Sequence, residues 1–389
     1  MKEIQLKDIC DLDNGYAFKS ADYVELSNTL NCRMSNIRPD GSFDILYNAK
    51  YLPDEFAEKY REYVLVDGDL IIAMTDMAGD PKILGVPTVV ETKGYTVLLN
   101  QRVGRLRIIK TGINVDYLKL ALQSNRVREY LKRFASGGVQ LNVSKKDILN
   151  APIRIRSTKE QNYIANLFLR VLKLKKLLEQ ELQILDDLIK ARFVEMFGGC
   201  NNEVLIGDVI SICRGASPRP IQAFITDEPE GVNWIKIGDV SENSLYITQT
   251  AEKITQEGAK KSRAVHKGDF ILSNSMSFGR PYILGIDGCV HDGWLILSDF
   301  KDSFDELYLY HALRSEHVQH QFSGVVNGAT VKNLNSDLVK GTYIQLPGME
   351  DQKKFGAFVK QVDKSKATVQ KSLDEAQLLF DSLMQKYFG

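Results

Sequence analysis

The residues that could carry catalysis are sparse. Asp76 followed by Glu91-Thr92-Lys93 has the form of a D…ExK nuclease site, in which two carboxylates hold magnesium and a lysine assists the attacking water. The match is short, and Lys93-Gly94 is better explained as a hairpin turn. His311, His317 and His320 fall on one expected helix, but no Glu or Cys completes an HExxH-type set, so they read as ordinary histidines. There is no Walker A motif, no GxSxG, no GxGxxG and no Asn/Asp-Pro-Pro-aromatic motif of an amino-methyltransferase. The stronger signal is for holding phosphate. Residues 101–157 carry 13 Lys+Arg against 3 Asp+Glu, among them Arg102, Arg105, Arg107, Arg126, Arg128, Lys132, Arg133, Lys145 and Lys146. The balance reverses to 10 against 17 over residues 1–100 and 13 against 19 over residues 201–350, so the chain is neutral overall. Partner subunits are therefore expected to supply part of the positive field if DNA is bound.

The elements that position these residues occur twice. Leu6-Lys7-Asp8-Ile9 returns as Ile206-Gly207-Asp208-Val209, and Gly68-Asp69-Leu70-Ile71-Ile72 as Gly268-Asp269-Phe270-Ile271-Leu272. Ile83-Leu84-Gly85-Val86 returns as Ile283-Leu284-Gly285-Ile286, at the same offset of 200. From Asn100 to Gly198 the offset is 191, pairing Asn142-Val143-Ser144 with Asn333-Leu334-Asn335 and Phe197-Gly198 with Phe388-Gly389. The nine-residue difference fits between Pro87 and Leu99. Such self-similarity predicts two copies of one domain rather than a solenoid of short units.

At 389 residues, 44% hydrophobic and 26% charged, the chain reads as an ordinary globular protein of two or three domains. No stretch approaches the roughly 18 apolar residues of a membrane span, and Met1-Lys2-Glu3-Ile4 opens straight into the repeat without a signal peptide. A cytoplasmic location and no membrane partner are expected. Cys10, Cys32, Cys200, Cys213 and Cys289 show no CxxC spacing and read as reduced thiols.

Each half opens with short β-branched runs such as Leu70-Ile71-Ile72, Thr88-Val89-Val90 and Tyr95 to Leu99. A helical segment follows, Val115 to Phe134 or its counterpart Glu306 to Phe322, then a Gly-bearing turn and a last extended stretch. These predict mixed α+β domains over residues 1–157 and 201–348. Residues 158–197 contain no Gly or Pro and place Ile164, Leu167, Val171, Leu174 and Leu178 at 3/4 spacing, with Ser157 or Thr158 to cap and Glu160 or Gln161 as capping-box partner. Phe355, Phe358, Val362, Val369 and Leu373 repeat the pattern. The segments 158–200 and 349–389 are thus two long helices of about 60 Å, whose seams can both be buried only by antiparallel coiled-coil packing. The expected architecture is α+β: two domains joined by that coiled coil, with an internal pseudo-twofold repeat. Two such modules could touch two segments of one duplex across an unread spacer, or could simply hold other proteins on a scaffold.

In this order, twice, these features resemble the specificity subunits of type I restriction-modification systems. The resemblance covers essentially the whole chain. It is carried by Val66-Asp67-Gly68-Asp69-Leu70-Ile71 and His266-Lys267-Gly268-Asp269-Phe270-Ile271, by Trp234-Ile235-Lys236-Ile237-Gly238-Asp239 and His291-Asp292-Gly293-Trp294, and by Glu160-Gln161 and Asp351-Gln352. The first half departs from it with Arg33-Met34-Ser35-Asn36-Ile37 in place of the Trp234 segment and Asn100-Gln101-Arg102 in place of His291-Asp292-Gly293. The resemblance implies a non-catalytic subunit that binds double-stranded DNA, two methyltransferase subunits and restriction/translocase subunits. S-adenosylmethionine, ATP and magnesium would sit on those partners, with no cofactor or metal on this chain.

The framework positions match between halves while the segments between them diverge, so two unlike half-sites are expected. The base-reading candidates are Asn274, Ser275, Ser277 and Arg280 with Arg214, Ser217 and Arg219 in the second half, and Asn36, Arg38, Thr75 and Lys82 in the first. Arg suits guanine and Asn adenine. Arg102, Arg126 and Lys145 are the phosphate candidates. Trp234 and Trp294 read as core aromatics. Met196-Phe197-Gly198 and Tyr387-Phe388-Gly389 read first as helix caps and second as hydrophobic docking points for partner helices, with Met196, Phe197, Tyr387 and Phe388 as contacts.

Overall fold

The computed structural model describes residues 2–240, 244–274, 279–323, 325–326, 329–330 and 334–389. The chain forms two compact units, residues 1–179 with 371–389, and residues 180–370. Each holds one mixed α+β domain and a part of each long helix.

In the first unit an antiparallel sheet runs in the order Cys10–Asn14, Val103–Ile108, Leu70–Ala73, Pro87–Val89. A second sheet runs Tyr51–Leu52, Thr29–Cys32, Thr96–Leu99, Val64–Leu65, its central pair parallel. Leu70–Ala73 is apolar throughout because both of its faces are buried. Leu70 and Ile72 pack with Leu118, Leu122, Val127 and Leu131 of the helices, while Ile71 and Ala73 turn to Leu30, Val97 and Leu99. The second unit repeats the division: Phe270 and Leu272 meet Leu309 and Leu313, and Ile271 meets Ile235, Val290 and Trp294. The Gly-Asp signal is a turn in both, with Gly68 at φ 92° and Gly268 at φ 91°. Asp69 accepts from the Val66 amide and Asp269 from the His266 amide, at 3.0 and 2.8 Å.

Both long helices are 40 residues, Thr158–Phe197 and Met349–Phe388. They run antiparallel within each unit. In the first, the Phe168 ring lies 5.2 Å from Phe380 and Lys175 bonds to Gln377. In the second, Phe193 lies 5.4 Å from Phe355 and Lys366 reaches Asp186 at 2.5 Å. Among the described residues no helix is long and apolar enough to cross a membrane, and all five cysteines are free.

Three local expectations are corrected. The helical segments are each broken once, into Val115–Gln123 and Asn125–Phe134, and into Glu306–Leu313 and Glu316–Phe322. Ser124 and Ser315 cause the breaks: each hydroxyl donates to an alanine carbonyl at 2.7 Å, Ala121 or Ala312, and caps the next helix. Lys93-Gly94 is a tight turn with φ of 53° and 87°, but the strands either side join different sheets and form no hairpin. The repeat register also differs from the offset of 200 at Ile83. Leu272 pairs with Pro281 as Ile72 pairs with Pro87, so six extra residues of the first copy precede Pro87 and the other three fall before Leu99. The extra six lengthen the loop from Met74 to Val86.

Candidate nucleic-acid interface

In the second unit the candidate residues converge on Asp292. The Ser217 hydroxyl donates to its carboxylate at 2.8 Å, holding the carboxyl below its usual range, and Arg219 lies 3.7 Å from the other oxygen. The Asp292 carbonyl accepts from Arg214 Nε at 2.8 Å and from Asn274 Nδ2 at 2.9 Å. The His291-Asp292-Gly293 turn thus pins the strand end at Arg214, the loop through Arg219 and the start of the loop at Asn274 into one cluster. Asp292 was not among the sequence candidates, although it lies in a repeat signal. Arg214 and Arg219 are exposed. Asn274 is buried, so its amide organises the cluster and is not presented to a ligand. Arg280 is half-buried, with its amide on Ser273 Oγ at 3.1 Å. Ser275 and Ser277 lie outside the described residues.

In the first unit two candidates serve the fold instead. Asn36 is buried and its Nδ2 donates to the carbonyls of Asp44, Ile45 and Tyr47, at 2.9, 3.2 and 3.1 Å. Thr75 is buried, its hydroxyl donating to Asn142 Oδ1 at 2.9 Å. Arg38 stacks on the Tyr47 ring at 3.8 Å, and Lys82 is exposed beside Asp80 at 3.0 Å.

Four cations of the basic stretch pair with carboxylates of the acidic one preceding it. Arg126 pairs with Glu3 at 2.6 Å and Lys145 with Asp11 at 3.1 Å. Arg107 reaches Asp13 at 2.7 Å and Asp11 at 3.1 Å, and Arg105 reaches Asp13 at 3.2 Å. Arg126 and Lys145, two of the phosphate candidates, thus pair with the chain's own carboxylates at partly exposed positions. Arg102, Arg133 and Lys146 are exposed and make no ion pair among the described residues.

The nuclease reading is also corrected. Asp76 is buried, and its carboxylate accepts from the amides of Ile83 at 2.5 Å, Leu84 at 2.9 Å and Met77 at 2.8 Å. Lys93 lies 3.6 Å from Asp44. His317 faces Glu203 at 3.3 Å, and His311 sits against the Phe355 ring at 5.4 Å, on a different helix from His317 and His320. Among the described residues no cluster of three His, Cys, Asp or Glu side chains could hold a metal ion.

The helices hold each domain through matched joints. Gln161 Oε1 accepts from the Asn114 amide and its Nε2 donates to the Arg156 carbonyl, both at 2.9 Å. Gln352 accepts from the Asp305 amide at 2.8 Å and donates to Pro347 at 2.8 Å and Ser303 at 3.1 Å. Both side chains are buried. Above them Tyr117 bonds to the Arg154 carbonyl and Tyr308 to that of Gln345, each at 2.8 Å. The Phe388 ring lies 5.2 Å from Tyr117, and Phe197 lies 4.8 Å from Tyr308. Phe197 and Phe388 are 1% and 3% exposed, so the docking expectation is corrected: these rings close the chain's own cores. Met196 and Tyr387 are half-buried against the same cores. Gly198 does not adopt the left-handed cap conformation. Trp234 and Trp294 are buried core residues.

Two α+β units with matched joints and unlike loops define a duplicated protein, and comparison with known proteins identifies the class. The chain matches the type I restriction modification DNA specificity domain twice, over residues 1–186 and 201–377, and belongs to that family. It is similar to the type I restriction enzyme MjaVIII specificity subunit of Methanocaldococcus jannaschii, 26% identical over 165 residues, or 42% of this chain and 37% of that one. That alignment thus spans little more than a third of the relative. The fold is similar to the type I restriction-modification S subunit from M. genitalium, with a TM-score of 0.55 and 13% identity over 100% of this chain and 96% of the other. It is also similar to a chain from a structure concerned with complex assembly and conformational transition of the type I R-M system, with a TM-score of 0.61 and 17% identity, covering 100% and 97%.

Proposed function

We propose that this chain is the non-catalytic DNA-reading subunit of a type I restriction-modification complex. Each unit reads one half of an asymmetric bipartite site in duplex DNA, the long helices set the unread spacer, and the chain directs two methyltransferase subunits and, where present, restriction/translocase subunits. S-adenosylmethionine, ATP and magnesium belong to those partners, and the chain works in the cytoplasm. One observation carries the reading: the framework is duplicated down to single hydrogen bonds, Gln161 to Gln352 and Tyr117 to Tyr308, while the loops above it differ. A scaffold would have no reason to keep matched joints and diverge in its loops. The pairing of four cations of the basic stretch with the chain's own carboxylates favours a scaffold, and salt dependence separates the two, because phosphate contacts weaken as salt rises.

The test is to co-express the chain with its methyltransferase subunit and map methylated adenines by single-molecule sequencing. A split motif of two unlike halves around a fixed spacer supports the reading. A short continuous motif, or methylation independent of this chain, overturns it.

A further inference from the structure

The first unit carries a two-stranded antiparallel ribbon that joins no larger sheet. Thr75–Met77 pairs with Gln140–Asn142, and the Ala78 amide extends the pairing to the Val139 carbonyl at 3.0 Å. Its conformation is fixed from both faces. The Asp76 carboxylate draws the Ile83 and Leu84 amides back under the strand, Thr75 bonds to Asn142, and Ser136 and Asn142 exchange backbone bonds at 3.1 and 2.9 Å. Gly137 turns the chain at φ 133°, where a Cβ would strike the Gln140 carbonyl.

Such a rigid ribbon would ordinarily end in polar turn residues, but this one ends in apolar ones. Val139 is 80% exposed, Met77 51%, and Phe134, just before the ribbon, 47%. The surroundings are mainly cationic, with Lys82 paired to Asp80 at 3.0 Å. The Arg102 carbonyl accepts from Met74, the residue before the ribbon, at 3.0 Å; Arg133 precedes Phe134; and Lys82 closes the loop, its carbonyl held by Arg128 at 3.0 Å. An apolar tip flanked by cations fits a polyanion that offers apolar groups at the floor of a groove. The major groove of duplex DNA admits a two-stranded ribbon, and the thymine C5-methyl group is the apolar feature on its floor.

Resting on the function proposed above, we infer that this ribbon enters the major groove of the first half-site and that Met77, on the face it shares with Gln140, packs against a thymine methyl group. Arg102 and Arg133, which make no ion pair among the described residues, lie over the flanking phosphates. Gln140, the strand partner of Met77, faces the neighbouring base edge. The first half-site then contains at least one T·A pair recognised through its methyl group rather than through hydrogen bonds.

Deoxyuridine tests this directly, because it removes that methyl group and keeps every hydrogen-bonding atom. The complex of the full chain with its methyltransferase subunit is titrated with duplexes of the mapped motif in which each thymine is replaced in turn. One position in the first half-site is expected to weaken binding about fourfold, the worth of one buried methyl group. Met77→Thr, at an exposed strand position, is expected to bind the all-thymine duplex more weakly and to lose that sensitivity, while Val139→Ser, on the other face of the ribbon, keeps it. Sensitivity in the second half-site stays unchanged. If no first-half position responds, if Met77→Thr keeps the full response, or if the half-site has no T·A pair, the ribbon assignment is overturned while a split motif still supports the proposed function. If the complex shows no sequence-specific binding, both are overturned.

Discussion

At the scale of single residues, the fold depends on a few buried polar groups whose removal has distinct signatures. Both tryptophans, Trp234 and Trp294, lie in the second unit, so their fluorescence reports on that unit alone. Gln352→Leu strands the Asp305 amide and two carbonyls in a dry site and is expected to cost roughly 2–4 kcal/mol in the tryptophan-monitored urea transition. Gln161→Leu strands one amide and one carbonyl, and should move the circular-dichroism transition of the first unit by less while leaving tryptophan fluorescence unchanged. Equal effects of both variants on the tryptophan signal would contradict this. His311 gives a pH signature. Burial, then the nearby Arg314 and Lys366, push its pKa down to about 4 against the opposing pull of Asp186. The unfolded chain therefore binds a proton that the folded chain refuses between about pH 6.5 and 4. Its contribution to stability is complete above pH 6.5 and is lost as pH falls toward 4, by up to about 3 kcal/mol. Leu120 occupies the matched position in the first copy, so His311→Leu should fit and flatten this part of the tryptophan-monitored stability profile. An unchanged slope would show that His311 is neutralised in some other way.

At the scale of elements, the long helices are structural members of both units. Phe388 is encoded in the second repeat yet fills the core of the first unit beside Tyr117 and Phe168, and Phe197 does the reverse beside Tyr308 and Phe355. Phe388→Ala is expected to destabilise the first unit by about 3–5 kcal/mol, seen as faster hydrogen exchange in Val115–Gln123, while the tryptophan transition stays in place. Phe197→Ala should shift that transition instead. If Phe388→Ala leaves exchange in the first unit unchanged, the helix end is not part of that core. The periodicity from Ile164 to Leu188 made the helices legible in sequence, because 3/4 spacing without Gly or Pro has one structural solution. Their ends were misread because an aromatic before glycine is the same string whether a partner protein or the chain's own domain covers the ring. The breaks at Ser124 and Ser315 were also missed: a serine inside a helical pattern becomes a cap only through the carbonyl it meets. Ile83-Leu84-Gly85-Val86 copied the letters of Ile283-Leu284-Gly285-Ile286 without its pairing, since backbone bonds and not side-chain identity set sheet register.

At the scale of the whole molecule, duplication was the most legible feature, and it defines the last prediction. The charge surplus of residues 101–157 was legible as composition but not as function, because its acidic partners come from Glu3, Asp11 and Asp13, about a hundred residues earlier. Of the candidate residues, Arg214, Ser217, Arg219 and Asn274 come together around Asp292, whereas Asn36 and Thr75 hold loops in place. What the two copies share is the joint: a Tyr hydroxyl on a strand carbonyl, a helix Gln on a capping amide, and a phenylalanine from the other repeat. A joint of that kind should accept either domain. Replacing residues 1–157 by a second copy of residues 201–348, with His311→Leu in the added copy to suit the Leu120 site, keeps both long helices intact. Asp305 then presents its amide to Gln161 where Asn114 did, and Tyr308 meets Phe388 where Tyr117 did. In complex with its methyltransferase subunit, this chain is expected to read the second half-site twice and to lose the first, because sequence preference resides in the loops and not in the joint. Methylome mapping decides the outcome. Two copies of the second half-site would show that the units read independently on a common frame. A folded complex that retained the original first half-site would place part of its recognition on the helices, and the division of labour proposed for the chain would fail.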